Sequence, residues 1–159
     1  MSLLGALIRG IFRRRKSIND EFFGEMVVDY VKVDGRKINY FSCEKKFLPG
    51  HDTVDITVYS SGTGPSERQK MTFKKLTNNY LEITEKINLK IKADHAENAE
   101  ALEATDINKG FILESISIHE EEGDAVNWDL EYIAAEGKAY VDVNFIGEKI
   151  DFIDIDSLN

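Results

Sequence analysis

The chain has 159 residues, of which 42% are hydrophobic and 31% charged, which is enough for one domain with a substantial core. It contains one cysteine, so an internal disulfide is excluded, and no apolar run reaches the roughly 18 residues that a membrane-spanning helix requires. The composition predicts a single domain in the cytoplasm. Cys43 is expected to be a small apolar residue in a strand and has no histidine near it in sequence, which favours a structural role over a nucleophilic one.

The net charge of −9 is distributed unevenly along the chain. Residues 1–18 contain five bases and no acid, whereas residues 111–159 contain 13 acids and only two bases, Lys138 and Lys149. A negative field of this kind repels nucleic acid and anionic membranes and attracts basic proteins or metal ions. We therefore expect no direct binding of nucleic acid by the body of the protein.

Residues 1–18 form a basic amphipathic N-terminal segment. One helical face of this segment would be apolar, formed by Leu4, Leu7, Ile8, Ile11 and Phe12. The bases follow the apolar residues and no small-residue cleavage site is present, which is unlike a secretory signal. Three interpretations stay open for Leu4 to Lys16: a packed terminal helix, an amphipathic helix on an anionic membrane surface, or a loosely ordered arm. Residues 19–159 are expected to form a single domain.

Three strands are predicted before the middle of the chain. Residues 22–33 are rich in valine and aromatic residues, and the Asp34-Gly35 pair is typical of a two-residue hairpin. The returning strand is expected over residues 37–47. Residues 53–60 alternate between apolar and polar side chains, which predicts a half-buried strand with one wet face.

The central element of the chain is a long helix predicted over residues 66–92. Pro65 precedes it and Ser66 can cap it. Its apolar residues recur every three or four positions and so form one stripe: Phe73, Leu76, Tyr80, Ile83, Ile87 and Ile91. A second, shorter helix is predicted over residues 93–105, where alanine and glutamate are abundant.

Four further strands are predicted over residues 111–119, 127–134, 138–146 and 149–155, separated by glycine-containing turns. Strands, then helices, then strands is an α+β order. We expect a twisted antiparallel sheet of six or seven strands packed on one long central helix, plus a short N-terminal helix.

Little in the sequence indicates catalysis or a cofactor. The three histidines, His51, His95 and His119, fall on different predicted elements, and no motif of a nucleophilic or metal-dependent enzyme is present. The one oxygen-rich cluster that could attract a hard cation consists of Asp142, Asp151, Asp154 and Asp156. Their spacing matches no calcium loop, so no cofactor is expected, and a hydrolase with a carboxylate-bound metal is the least favoured class.

The candidate functional residues are acidic. The wet side of adjacent strands would carry Glu114, Asp129, Glu131 and Asp142, and a loop at one end would carry Glu120, Glu121, Glu122 and Asp124. Together they would form a negative face, which speeds and orients encounter with a basic partner. The alternative is an acidic surface that serves only solubility.

The order of elements resembles a group of small bacterial domains found among immunity proteins of contact-dependent and other polymorphic toxin systems. The resemblance covers about residues 20–155. It rests on Asp20-Glu21-Phe22-Phe23-Gly24-Glu25 at the first strand, on the long helix after three strands, and on Asp142-Val143-Asn144-Phe145-Ile146-Gly147 in the closing meander. The basic N-terminal segment is not shared with that group. Immunity proteins are often small, cytoplasmic and acidic, because many of the toxin domains that they block are basic nucleases.

The sequence therefore predicts a non-enzymatic protein-binding module, an immunity protein that occludes a basic toxin domain. The acidic strand face and the loop at residues 119–124 would bind lysine and arginine side chains of the toxin. The runner-up function is a peripheral membrane protein anchored through Leu4 to Lys16. The partner and the oligomeric state are not specified by the sequence.

Overall fold

Eight strands form one continuous sheet, in which each strand pairs with its neighbours in chain order. The computed structural model describes residues 16–50, 53–94, 106–123, 125–134, 137 and 139–157, and the backbone alone at residues 33, 120–122 and 157. The strands are β1 (Lys16–Asp20), β2 (Gly24–Val33), β3 (Arg36–Lys46), β4 (Thr53–Ser60), β5 (Phe111–Glu122), β6 (Ala125–Ala134), β7 (Ala139–Ile146) and β8 (Lys149–Ser157).

The helical part of the chain crosses the sheet between β4 and β5. It consists of α1 (Glu67–Asn78), α2 (Tyr80–Asp94) and α3 (Ile107–Gly110). Strands β4 and β5 are parallel, and every other neighbouring pair is antiparallel. A parallel pair requires a connection that returns to the end where the first strand began, and the helices supply it. The sheet is therefore mixed.

The predicted fold class is wrong in three respects. The sheet has eight strands rather than six or seven, because Lys16–Asp20 pairs with β2, and it is mixed rather than antiparallel. The predicted long helix is divided at Asn79, whose backbone departs from helical geometry (φ −114°, ψ 18°). Two consecutive asparagines have low helix propensity, which explains the position of the break.

Two helix predictions fall partly or wholly outside the described residues. The predicted N-terminal helix falls on residues 1–15, and residues 16–18, which the sequence groups with that segment, belong to β1. The second predicted helix falls mainly on residues 95–105, and residues 93–94 are the end of α2. Among the described residues, none of the helices has the length and apolar character needed to cross a membrane.

The start of α1 is fixed to the sheet by one buried side chain, Gln69. Ser66 caps the helix as predicted and forms a reciprocal capping box with Gln69. The Gln69 amide also donates hydrogen bonds to the carbonyl oxygens of Tyr59 (2.7 Å) and His119 (2.9 Å). These carbonyls lie near the ends of β4 and β5, so the helix enters the fold at a defined position.

The core lies between the helices and one face of the sheet. The predicted helical stripe is confirmed, since Phe73, Leu76, Tyr80, Ile87 and Ile91 are buried and Ile83 is partly buried. Beside α1, aromatic rings pack edge to face: Phe73 contacts Phe23 at 5.3 Å between ring centroids. Burial of such large apolar side chains is the main stabilising term of the fold. No helix or strand of the described residues covers the opposite face of the sheet, which we call the open face.

Candidate functional site: an acidic sheet face

The alternation predicted for the last strands places polar side chains on the open face. In β6 and β7 the buried positions are Val126, Trp128, Leu130, Tyr132, Val141, Val143 and Phe145. The positions between them, which include Asp129, Glu131 and Asp142, point away from the core. The inward and outward assignment of these two strands is therefore confirmed.

Strand register brings acids from five strands into one line across the open face. Glu44 is opposite Asp55, Asp55 is opposite Ser115, and Ser115 is opposite Glu131. Glu131 is in turn opposite Asp142, which is opposite Asp154. We call this line of side chains the acidic row: Glu44, Asp55, Ser115, Glu131, Asp142 and Asp154.

Neighbouring strands lie about 4.8 Å apart, so successive carboxylates in the row repel one another. Ser115 separates two of them, and its hydroxyl donates a hydrogen bond to Glu131 (2.9 Å). From β5 to the end of the chain the only bases are Lys138 and Lys149. This half of the open face consequently presents a concentrated negative charge.

A shallow depression of about 290 Å³ lies at the β8 end of the row. Its lining consists of five carboxylates and one phenol, contributed by Glu114, Glu131, Tyr140, Asp142, Asp154 and Asp156. The volume is at the lower limit for small-molecule sites. An acidic lining of this size matches a cationic side chain, such as that of arginine or lysine, better than an extended organic ligand.

The repulsion among the carboxylates of the row affects the pKa of Asp142. Partial removal from water raises the pKa of the Asp142 carboxyl above its ordinary value, and the negative charges of Glu131, Asp154, Asp129 and Asp156 raise it further. Ionisation of Asp142 is therefore less favourable in the folded protein than in water. A cation placed beside it would remove this penalty, which favours binding of a basic group.

Asp129, in contrast, is already engaged by neighbouring side chains. It contacts the imidazole of His119 and accepts a hydrogen bond from the side-chain amide of Asn144. The His119 ring stacks on Tyr59, with centroids 5.1 Å apart and planes 7° apart. Asp129 thus contributes charge to the face, but its oxygens are less available to a partner than those of the acidic row.

The other predicted site residues fall into two groups. Glu114 lies in an irregularity of the β5–β6 pairing between Leu113 and Ser115, and it is exposed on the rim of the depression. Glu120, Glu121 and Glu122 continue β5 rather than forming a loop, so the loop predicted over residues 119–124 is wrong. The side chains of these three glutamates, and Asp124 as a whole, lie outside what the structure describes.

Sequence reasoning missed several members of the site. Glu44 and Asp55 were not selected, because their alignment with β5–β8 depends on the parallel pairing of β4 with β5. Asp154 and Asp156 were considered only as metal ligands. Their alternation with Ile153 and Ile155 was the available signal that they share the open face with Asp142.

Metal binding is not favoured by the arrangement of the acids. Across the described ranges, no group of three or more histidine, cysteine, aspartate or glutamate side chains has a geometry that could hold a metal ion. The helical connection between β4 and β5 carries no excess of either charge. Residues 61–110 contain eight bases and eight acids. The excess negative charge of the chain is therefore concentrated in the strands that follow.

Comparison with family models, with curated proteins and with solved structures finds no match to this chain.

Proposed function

We propose that the protein is a non-enzymatic binding module, an immunity protein of the cytoplasm that neutralises a basic toxin domain by covering it. The observation that carries the proposal is the acidic row with its adjoining depression, which is lined by five carboxylates and by no base among the described residues. The resemblance of the sequence to immunity proteins of polymorphic toxin systems supports the same class of function.

The proposed interaction begins with electrostatic steering. A basic partner is attracted to the open face, because residues 111–159 contain 13 acids and two bases, whereas the helical connection of residues 61–110 is neutral. Such steering raises the association rate and decreases as salt screens the charges. An arginine or lysine side chain of the partner then enters the depression beside Asp142 and relieves the repulsion among the carboxylates.

Two aromatic side chains can add contact area next to the acids. Phe152 is 52% exposed and pairs with Asn144 on the open face. It lies two residues along β8 from Asp154 of the acidic row. The Tyr140 ring lines the depression. Exposed aromatic residues near the centre of a charged surface are typical anchors of protein interfaces. Together with the carboxylates they would suit a partner surface that mixes basic and apolar groups.

The proposal is tested by neutralising the row while keeping the shape of each side chain. The triple variant Glu131→Gln, Asp142→Asn, Asp154→Asn is used as bait for capture from the native host. A matched control, Glu67→Gln, Glu82→Gln, Glu85→Gln, makes the same change in net charge on the helices. Proteins retained at low and moderate salt are identified by mass spectrometry.

We expect one basic protein to be retained by the unchanged chain and by the control. Its affinity for the row variant should be about tenfold lower or more, because several charge–charge contacts are removed. Equal capture by both variants would place the interface elsewhere and contradict the proposal.

A further inference from the structure

The sheet ends at β8, and we call the side of β8 that faces away from β7 its outer edge. β8 pairs with β7 from Lys149 to Ser157, and no other strand of the described residues lies beside it. In an antiparallel pair, alternate residues direct their N–H and C=O groups to the partner strand, and the residues between them direct theirs to the other side. About half of the backbone groups of β8 therefore point outward, where a further strand can bind them.

The outer edge is regular over most of its length. The register shift between Asn144 and Phe145 leaves Asp151 as an extra residue near the start of β8. From Phe152 to Ser157 every residue has one partner on β7. Bulges interfere with the pairing of an edge strand, so the regular segment after Asp151 is the part of β8 that can accept another strand.

The hydrophobic core is incompletely covered at β8. On β7 the core-facing side chains of Val141 and Val143 are fully buried. Their partners on β8, Ile155 and Ile153, pack against the same core but are only partly buried. An added strand with apolar side chains on this face would remove the remaining apolar surface from water, which stabilises the pairing.

On the open face the same segment of β8 carries two acids. Asp154 and Asp156 are exposed, and both line the depression together with Asp142. Side chains that lie opposite each other on adjacent strands interact, and a pair of opposite charges stabilises the two strands. The open-face positions of an added strand therefore favour lysine or arginine.

The same charges disfavour a second copy of β8 as the added strand. Pairing of two β8 edges would bring Asp154 and Asp156 of one copy beside the same acids of the other. Like charges in such positions destabilise a strand pair, and charged side chains are a common protection of edge strands against self-association. The charge pattern therefore selects a different, basic partner.

We propose that the outer edge of β8 binds a strand of the partner in which basic side chains alternate with apolar ones, so that the sheet gains a ninth strand. The basic side chains lie opposite Asp154 and Asp156, and the apolar ones lie beside Ile153 and Ile155. In this mode of recognition the main-chain hydrogen bonds supply affinity and the alternating side chains supply specificity. The inference rests on the proposed function, because the added strand is assigned to the basic toxin domain.

Amide hydrogen exchange of the isotopically labelled full-length chain, read by NMR, tests this pairing. The probe is a synthetic peptide of nine residues, the length of β8, in which lysine and valine alternate. One control peptide has glutamate in place of lysine. A second control peptide keeps the lysines but carries a methyl group on every backbone nitrogen, which removes the donors that strand pairing requires.

We expect the lysine peptide to slow the exchange of alternate amides between Phe152 and Asp156 several-fold, and neither control peptide to change it. The double variant Asp154→Lys, Asp156→Lys should reverse this preference, so that the glutamate peptide protects the edge. The matched double variant Glu82→Lys, Glu85→Lys makes the same change in net charge on α2 and should still prefer the lysine peptide.

Protection by the methylated peptide equal to that by the lysine peptide would overturn the proposal, and so would a lack of protection by the lysine peptide. Slow exchange of every β8 amide in the free chain would also overturn it, because the edge would then be paired already.

The same readout separates this inference from the proposed function. A basic protein that is captured from the host but leaves the outward β8 amides unprotected would support the function and overturn the pairing at β8. Protection by the lysine peptide, combined with equal capture by the row variant and its control, would support the pairing and contradict the function.

Discussion

At the scale of single residues, charge on the open face carries an energetic cost that the fold tolerates. Asp142 is opposite Glu131 on one side and Asp154 on the other, and no base of the described residues lines the depression with them. Burial and these neighbours raise the pKa of the Asp142 carboxyl. Perturbed pKa values of this kind are concentrated at the functional sites of proteins.

The raised pKa predicts how stability changes with pH. A carboxyl whose pKa is higher in the folded chain favours folding when it is protonated, and this contribution is lost as the pH rises through the folded pKa. Asp142→Asn should therefore stabilise the protein at neutral pH, by less than about 1 kcal/mol because the site is solvent-accessible. Below the unfolded pKa of about 3.9 the advantage should vanish.

Urea unfolding of Asp142→Asn and of the unchanged chain, both near neutral pH and below about pH 3.9, measures this difference in the free energy of unfolding. Asp151→Asn serves as the control, since Asp151 lies on β8 but does not line the depression. A loss of stability for Asp142→Asn at neutral pH would contradict the account of Asp142.

At the scale of elements, the crossover helices determine which acids share a face. The sequence pattern was sufficient to predict the helical stripe, the Ser66 cap and the alternation of β6 and β7, because each depends on local spacing. It was not sufficient to predict the parallel pairing of β4 with β5, which depends on where the helices return the chain. The alignment of Asp55 with Ser115 and Glu131 follows from that pairing.

The attachment of α1 to the sheet makes a second prediction. Gln69→Ala should lower the free energy of unfolding by about 2 kcal/mol, because it leaves the partly buried carbonyls of Tyr59 and His119 without their amide donor and removes one half of the capping box. Asn78→Ala, at an exposed position of the same helix, should change stability by no more than about 0.5 kcal/mol.

Chemical unfolding of the two variants compares these effects directly. If Gln69→Ala were as mild as Asn78→Ala, the buried amide would not be what fixes the helix to the strand ends.

At the scale of the whole molecule, the negative charge is concentrated in one part of the fold. The open sheet face from β5 to β8 is acidic, whereas the helical connection of residues 61–110 contains eight bases and eight acids. Composition alone predicted the acidic half of the chain. It did not predict that Glu44 and Asp55 share a face with the acids of β6 to β8, because that alignment depends on the crossover between β4 and β5. A partner that is steered by charge meets the sheet first.

The measurement that tests the central claim most directly is carboxyl footprinting of the full-length chain, alone and bound to the captured basic protein. Carbodiimide-mediated labelling with a neutral amine, read by mass spectrometry, reports the accessibility of each carboxylate. We predict that labelling of Glu131, Asp142, Asp154 and Asp156 falls several-fold in the complex, while labelling of Glu82 and Glu85 on α2 is unchanged. Protection of the α2 glutamates with continued labelling of the acidic row would contradict the account.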